Sequence, residues 1–123
     1  MTVMLCVLLG LVALICFLGG INVLRKGAMG FLPKKTAPQL VLDNLVRFLA
    51  GIYFSAGFLF VYAALNIRNI GDVIYFLGII VGSSGLGRLY SRSKVGSAGR
   101  YFDIIMVVEI LLGISIVLLE WIR

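Results

Sequence analysis

Apolar residues fall in long runs separated by short polar breaks, and the positions of those breaks set the expected elements. The first run, Thr2 to Ile21, carries no charge and as a helix can cross about 30 Å of hydrocarbon. The second spans roughly Leu45 to Leu65 and is entered through Asp43 and Asn44. The third covers Val73 to Tyr90 and the fourth Tyr101 to Trp121. Runs of this length predict transmembrane helices. The expected fold is therefore all-α: an integral membrane four-helix bundle, with residues 1–123 as a single transmembrane domain and no internal repeat.

The breaks add detail. Asn66–Asp72 is short, as antiparallel neighbours require, and Ser91–Arg100 is rich in Ser and Gly and reads as a flexible loop. In the Asn22–Asn44 connector, Thr36-Ala37-Pro38-Gln39 fits a capping box with proline in the first turn. It predicts a short interfacial helix from about Ala37, either lying on the membrane or extending the second span. Phe31, Leu32 and Pro33 are expected to dip into the headgroup region. The first run is expected to be a retained helix and not a signal peptide. It has no basic start and no small-residue cleavage site, and Arg25 and Lys26 follow it instead of preceding it.

Composition agrees with a membrane chain: 62% of residues are hydrophobic and 13% charged, well off the balance of a soluble domain. With no histidine in the sequence, His-based triads, metal sites and pH switches are excluded. The net charge of +6 comes from two basic blocks between apolar runs. Topology and anionic lipid headgroups account for these better than nucleic acid does. One side of the membrane would hold Arg25, Lys26, Lys34, Lys35 and Arg47 together with Arg88, Arg92, Lys94 and Arg100, the other only Arg68 and Arg123. Nine against two places the basic connectors in the cytoplasm and both termini outside. Tyr90, Tyr101 and Phe102 then mark one interface, and Tyr62, Tyr75 and Trp121 the other. Cys6 and Cys16 would lie about 15 Å apart on one helix, too far for a disulfide, and read as packing residues.

Charges inside lipid are the informative ones, because an unpaired one costs about 3 kcal/mol near the midplane. Arg47 begins the second span, Arg88 ends the third, and Glu109 is the one deep carboxylate, in the fourth. With alternating helix directions all three fall in the cytoplasmic half. They predict a polar cluster of Glu109 with Arg47, Arg88 or both, supported by Asn44 and completed by Asp43 and Asp103. The cluster could be structural, orienting helices. The structural reading is the leading one; the alternative is that the cluster holds an ion, a lipid phosphate or a proton. A metal site built from Asp43, Asp103 or Glu109 would have to be a hard-cation oxygen site, and none is expected. Arg68, Asp72, Glu120 and Arg123 read as exposed interface residues.

Gly78, Gly82 and Gly85 recur at helical spacing, as do Gly51 with Ser55 and Gly10 with Ala13, which predicts close helix packing within a bundle or an oligomer. Gly85-Leu86-Gly87-Arg88 lacks the strand and glycine pattern of a phosphate loop. Ser55, Ser83, Ser84 and Ser115 have no histidine to activate them, and no Cys-x-x-Cys pair exists. No enzymatic activity and no cofactor are expected.

Leu42-Asp43-Asn44-Leu45-Val46-Arg47-Phe48, followed by Gly51-Ile52-Tyr53, resembles the central motif of a bacterial family catalogued as domain of unknown function 4345. Gly85-Leu86-Gly87-Arg88-Leu89 with Ser91, and Glu109 in the last helix, resemble its other signatures; Ser84 stands where the pattern has a glycine. The resemblance covers nearly the whole chain. It implies a four-helix inner-membrane protein, broadly similar to small DoxX-type bundles, and it groups Asn44, Arg47, Arg88 and Glu109 without supplying a substrate. The expected function is non-enzymatic: a multi-pass protein of the bacterial inner membrane that contributes to envelope homeostasis, through barrier integrity or ion balance. It would form a homo-oligomer in contact with the lipid bilayer and anionic headgroups. One alternative is a small proton- or ion-coupled transporter, although small multidrug exporters place their carboxylate in the first helix, which is uncharged here. Another is a membrane subunit of a redox or lipid-modifying enzyme.

Overall fold

The computed structural model describes residues 2–30, 32 and 40–123, with Met29 in its backbone alone. Four long helices carry the chain: α1 (Thr2–Lys26), α2 (Leu40–Leu65), α3 (Val73–Val95) and α4 (Arg100–Ile122), with a 3₁₀ turn at Ala28–Gly30. No strand occurs among the described residues. Each helix is long and apolar enough to cross a membrane. The expected capping box at Thr36–Gln39 and the interfacial helix from Ala37 lie outside the described residues, as do Phe31 and Pro33.

Every helix runs past the apolar stretch that announces it. Hydropathy ends where charge begins, whereas a helix ends where its backbone is made to turn. α1 continues through Arg25 and Lys26 to Gly27, whose φ of 64° is left-handed and whose N–H donates to the Val23 carbonyl at 2.7 Å. α3 continues through Arg92 and Lys94 to Gly96, at φ 96°, whose N–H donates to the Arg92 carbonyl at 2.9 Å. Basic residues in these last turns also suit the negative end of the helix dipole. The Ser91–Arg100 stretch, expected as a loop, is accordingly helical to Val95, and the true connector is Gly96–Gly99.

The chain divides into two compact units. The first combines the N-terminal turns of α1, the end of α2 from Ala63, and α3 with α4. Here α3 and α4 form an antiparallel hairpin. The buried positions of α3 are Ile74, Leu77, Gly78, Val81 and Gly85, and those of α4 are Glu109, Gly113 and Ile116. Both sets recur every three to four residues, so each helix turns one stripe inward. Where the stripes cross there is almost no side chain. A methyl group placed on Gly113 would sit 2.6 Å from the Gly82 Cα, and one on Gly85 would sit 2.6 Å from Ile110 Cγ1. One on Gly78 would lie 2.8 Å from Val117 Cγ2 and 3.1 Å from the Gly113 carbonyl oxygen. The backbones thus approach as closely as small residues permit, which is how helices gain dispersion contacts in a solvent that gives them no hydrophobic drive. Leu5 and Leu9 of α1 and Ala63 and Ile67 complete the buried set.

The second unit, Gly10–Tyr62, holds the rest of α1 and most of α2. Its centre is aromatic. Phe17 meets Phe54 and Phe58 edge-on with ring centroids 5.4 and 4.9 Å apart, and Phe54 meets Phe58 at 5.6 Å, the geometry the ring quadrupoles favour. Gly20 lets the Phe54 backbone approach, and Gly57 makes room for the Phe17 ring. Gly51, expected to pack, has nothing within 4 Å of where its Cβ would stand, and neither has Gly10. Both sit on open helix surface, and the close α1–α2 approach passes through Gly19, Gly20 and Gly57 instead.

Candidate functional site

Glu109 lies nine residues into α4, about 14 Å along its axis, and is 7% exposed. Its partner is Arg88, whose Nε donates to Oε1 at 2.8 Å. Both residues continue the inward stripes described above. Arg88 follows Gly85 by one turn on α3, and Glu109 precedes Gly113 by one turn on α4. Helical side chains lean toward their own N-terminus. In an antiparallel pair Arg88 therefore leans back along α3 while Glu109 leans toward the start of α4, and the two meet between the helices. The arginine side chain retains 38% exposure. One end of the pair is sealed among the helices and the other opens outward.

One turn further on, Arg92 Nε donates to Asp103 Oδ1 at 3.2 Å. The other carboxylate oxygen of Asp103 accepts from the Ser97 hydroxyl at 2.7 Å, and Ser97 Oγ accepts from the Gly99 N–H at 3.1 Å. Gly96 and Gly99 both have positive φ, so the connector can turn sharply enough to bring Ser97 over the first turn of α4. Asp103 is thus the bolt of the hairpin, held by α3 and by the connector together. Arg88, Arg92 and Asp103, with Ser91, Phe102 and Met106, line a cavity of about 170 Å³ at this end of the hairpin.

Asp43 and Arg47 have a different task. They pair with each other across one helical turn, Nε to Oδ2, at 2.9 Å. Arg47 Nη1 also donates to the Leu24 carbonyl at 2.8 Å, and Asp43 Oδ1 accepts from the Ala28 N–H at 3.0 Å. Leu24 is among the last residues of α1, whose carbonyls have no partner within the helix. The pair therefore caps α1 from α2, and Gly27 lets it approach: a Cβ there would collide with Asp43 Oδ1 and lie 2.7 Å from the Arg47 guanidinium. Asn44, the neighbour of Asp43, is exposed on α2.

Of the residues the sequence groups, Arg88 and Glu109 are brought together directly, Asp103 bonds Arg92, and Asp43 with Arg47 closes the end of α1. Arg92, Ser97, Gly27 and Gly113 are the contributors that sequence reading misses. Arg92 is signalled by its four-residue spacing from Arg88, once α3 is known to reach that far. Glu120, expected on the surface, has a largely shielded carboxylate that pairs with Arg123 at 3.0 Å. No group of three or more potential metal ligands occurs among the described residues.

Among curated proteins and among solved structures, no match to the chain is found. The family model described as Domain of unknown function (DUF4345) matches residues 4–120, which takes in all four helices, the α1 cap and the Arg88–Glu109 pair. The chain belongs to this family.

Proposed function

We propose that this is a non-enzymatic multi-pass protein of the bacterial cytoplasmic membrane that supports envelope homeostasis, through barrier integrity or ion balance, with the Arg88–Glu109 pair as its working site. The carrying observation is a buried Arg88–Glu109 ion pair on a hairpin that has other contacts to hold it. α3 and α4 already meet through Gly78, Gly82, Gly85 and Gly113, and Asp103 already bolts their connector to both helices. A buried ion pair adds little to stability, because its Coulomb gain is offset by desolvation. An ionised group retained where packing has done the holding points to use. Nine basic residues against two argue for both termini outside and the open end of the Arg88–Glu109 pair facing the cytoplasm.

A deletion strain complemented by wild type, Glu109→Gln or Arg88→Gln at matched membrane abundance tests this reading. Deletion is expected to raise sensitivity to envelope stress or depolarise the membrane, and Glu109→Gln is expected to insert yet fail to complement. A deletion strain matching its parent in both assays, or full rescue by Glu109→Gln, would overturn it.

A second reading, proton- or ion-coupled transport, is favoured by the same carboxylate, which stands within an apolar span beside a partly exposed arginine. Gradient-driven flux in proteoliposomes that Glu109→Gln abolishes would establish it, and absence of flux under every imposed gradient would exclude it.

A further inference from the structure

We infer that the cavity at the connector end of the α3–α4 hairpin is a binding site for a phosphate group, presented either by an anionic phospholipid headgroup or by free phosphate. The donors come first. Arg88 and Arg92 both line the cavity, and each gives its Nε to a carboxylate, Arg88 to Glu109 and Arg92 to Asp103. A guanidinium is a planar fork of N–H donors, so a carboxylate seated on the Nε edge leaves the outer edge to bond something else. Those carboxylates also hold each guanidinium in place, so little side-chain freedom remains to be lost on binding. Two pre-oriented forks with the Ser91 hydroxyl beside them form a set of donors suited to a tetrahedral oxyanion.

Size and charge agree. About 170 Å³ is room for several water molecules, and so for a phosphate group. Each arginine faces one carboxylate, but the adjoining stretch from Ser91 to Arg100 adds Lys94 and Arg100 and no acid. The field at the mouth is therefore positive. The remaining wall, Phe102 and Met106, is apolar, as a lipid's glycerol and upper acyl carbons would require. The cavity lies at one end of membrane-spanning helices, at headgroup depth in whichever leaflet that end occupies. The site is the same in either orientation and independent of the proposed role in envelope homeostasis.

The full-length protein in nanodiscs of phosphatidylcholine alone, or with phosphatidylglycerol added, provides the test, with native mass spectrometry counting retained lipids and thermal unfolding as a second readout. Inorganic phosphate is titrated separately into the phosphatidylcholine discs. Retention of phosphatidylglycerol over phosphatidylcholine, reduced at least fivefold by Arg92→Gln, is expected if lipid is the source. A phosphate-dependent rise in melting temperature, lost in Arg92→Gln, is expected if free phosphate is the source. Lys94→Gln is the control, because Lys94 is turned onto the Tyr90 ring, 5.7 Å from its centroid, and does not line the cavity. Equal losses in Lys94→Gln and Arg92→Gln would mean diffuse attraction to a charged surface and would overturn the site. So would a wild-type protein indifferent to both phosphatidylglycerol and phosphate.

Discussion

At the scale of single residues, the two halves of the buried pair are unequal, and that inequality can be measured. Glu109 is nearly sealed, whereas Arg88 keeps more than a third of its side chain exposed. Removing the arginine strands a carboxylate that has no route to water. Removing the carboxylate leaves an arginine whose long stem can carry its charge outward. Arg88→Ala is therefore expected to cost about 2–4 kcal/mol, toward the range for breaking buried pairs. Glu109→Gln, which keeps an acceptor for Arg88, is expected to cost about 1 kcal/mol. Reversible unfolding in mixed micelles gives both values, and equal costs would show that Glu109 is better hydrated than its burial implies. That Glu109 would need an arginine was legible in the sequence, because a carboxylate in an apolar span has few ways to be tolerated, but the choice between Arg47 and Arg88 was left open. The partner of Arg47 was not legible. Its spacing from Asp43 is written in the chain, but the unsatisfied carbonyl of Leu24 that it reaches becomes visible only once α1 is seen to end beside α2.

Between elements, the decisive contacts are those in which side chains are missing. Gly113 and Gly87 look alike in the sequence, each a glycine inside a helix, and both weaken that helix by roughly 0.5–1 kcal/mol relative to alanine. Their surroundings are opposite. A methyl at Gly113 meets the Gly82 backbone at 2.6 Å, while a methyl at Gly87 meets nothing within 4 Å. Backbone cannot yield as a side-chain tip can, so Gly113→Ala is expected to prise α3 from α4 and destabilise by about 1–3 kcal/mol, as overpacking does. Gly87→Ala is expected to be neutral or to stabilise by up to about 1 kcal/mol. Thermal unfolding of the two variants side by side checks the contrast, and matching shifts would mean that the helices do not touch at Gly113. The same pair explains what the sequence withheld at this scale. Spacing exposes Gly78, Gly82 and Gly85 as one stripe, but Gly113 stands without a small neighbour a turn away on either side, and its role is set by the helix opposite. Helix ends were misjudged for a related reason. Apolar content reports the width of the bilayer, whereas Gly27 and Gly96 set where α1 and α3 stop.

For the whole molecule, the fold class was the most legible property, because a bilayer leaves a long apolar run few options besides a helix. Orientation rests on a different physics, and the hairpin provides a way to separate contributions. Holding a Lys or Arg on the outer side works against the membrane potential by about 2.3 kcal/mol per charge for each 100 mV. The bias is carried by both basic connectors, and Arg92, Lys94 and Arg100 supply three of its nine charges. Replacing those three by Gln leaves six facing the two of Arg68 and Arg123, so the majority survives and the topology should too. Alkaline phosphatase fused after Arg123 is accordingly expected to be active in the wild type and in the triple variant, with a fluorescent protein at the same point dark in both. The triple variant removes Arg92, which is at once a donor of the phosphate cavity and the partner of Asp103. Its insertion should therefore be normal while its lipid retention is lost, and the two readouts part company on one protein. Phosphatase activity lost in the triple variant alone would place the orienting signal in the last hairpin, and activity absent even from the wild type would reverse the orientation of all four helices.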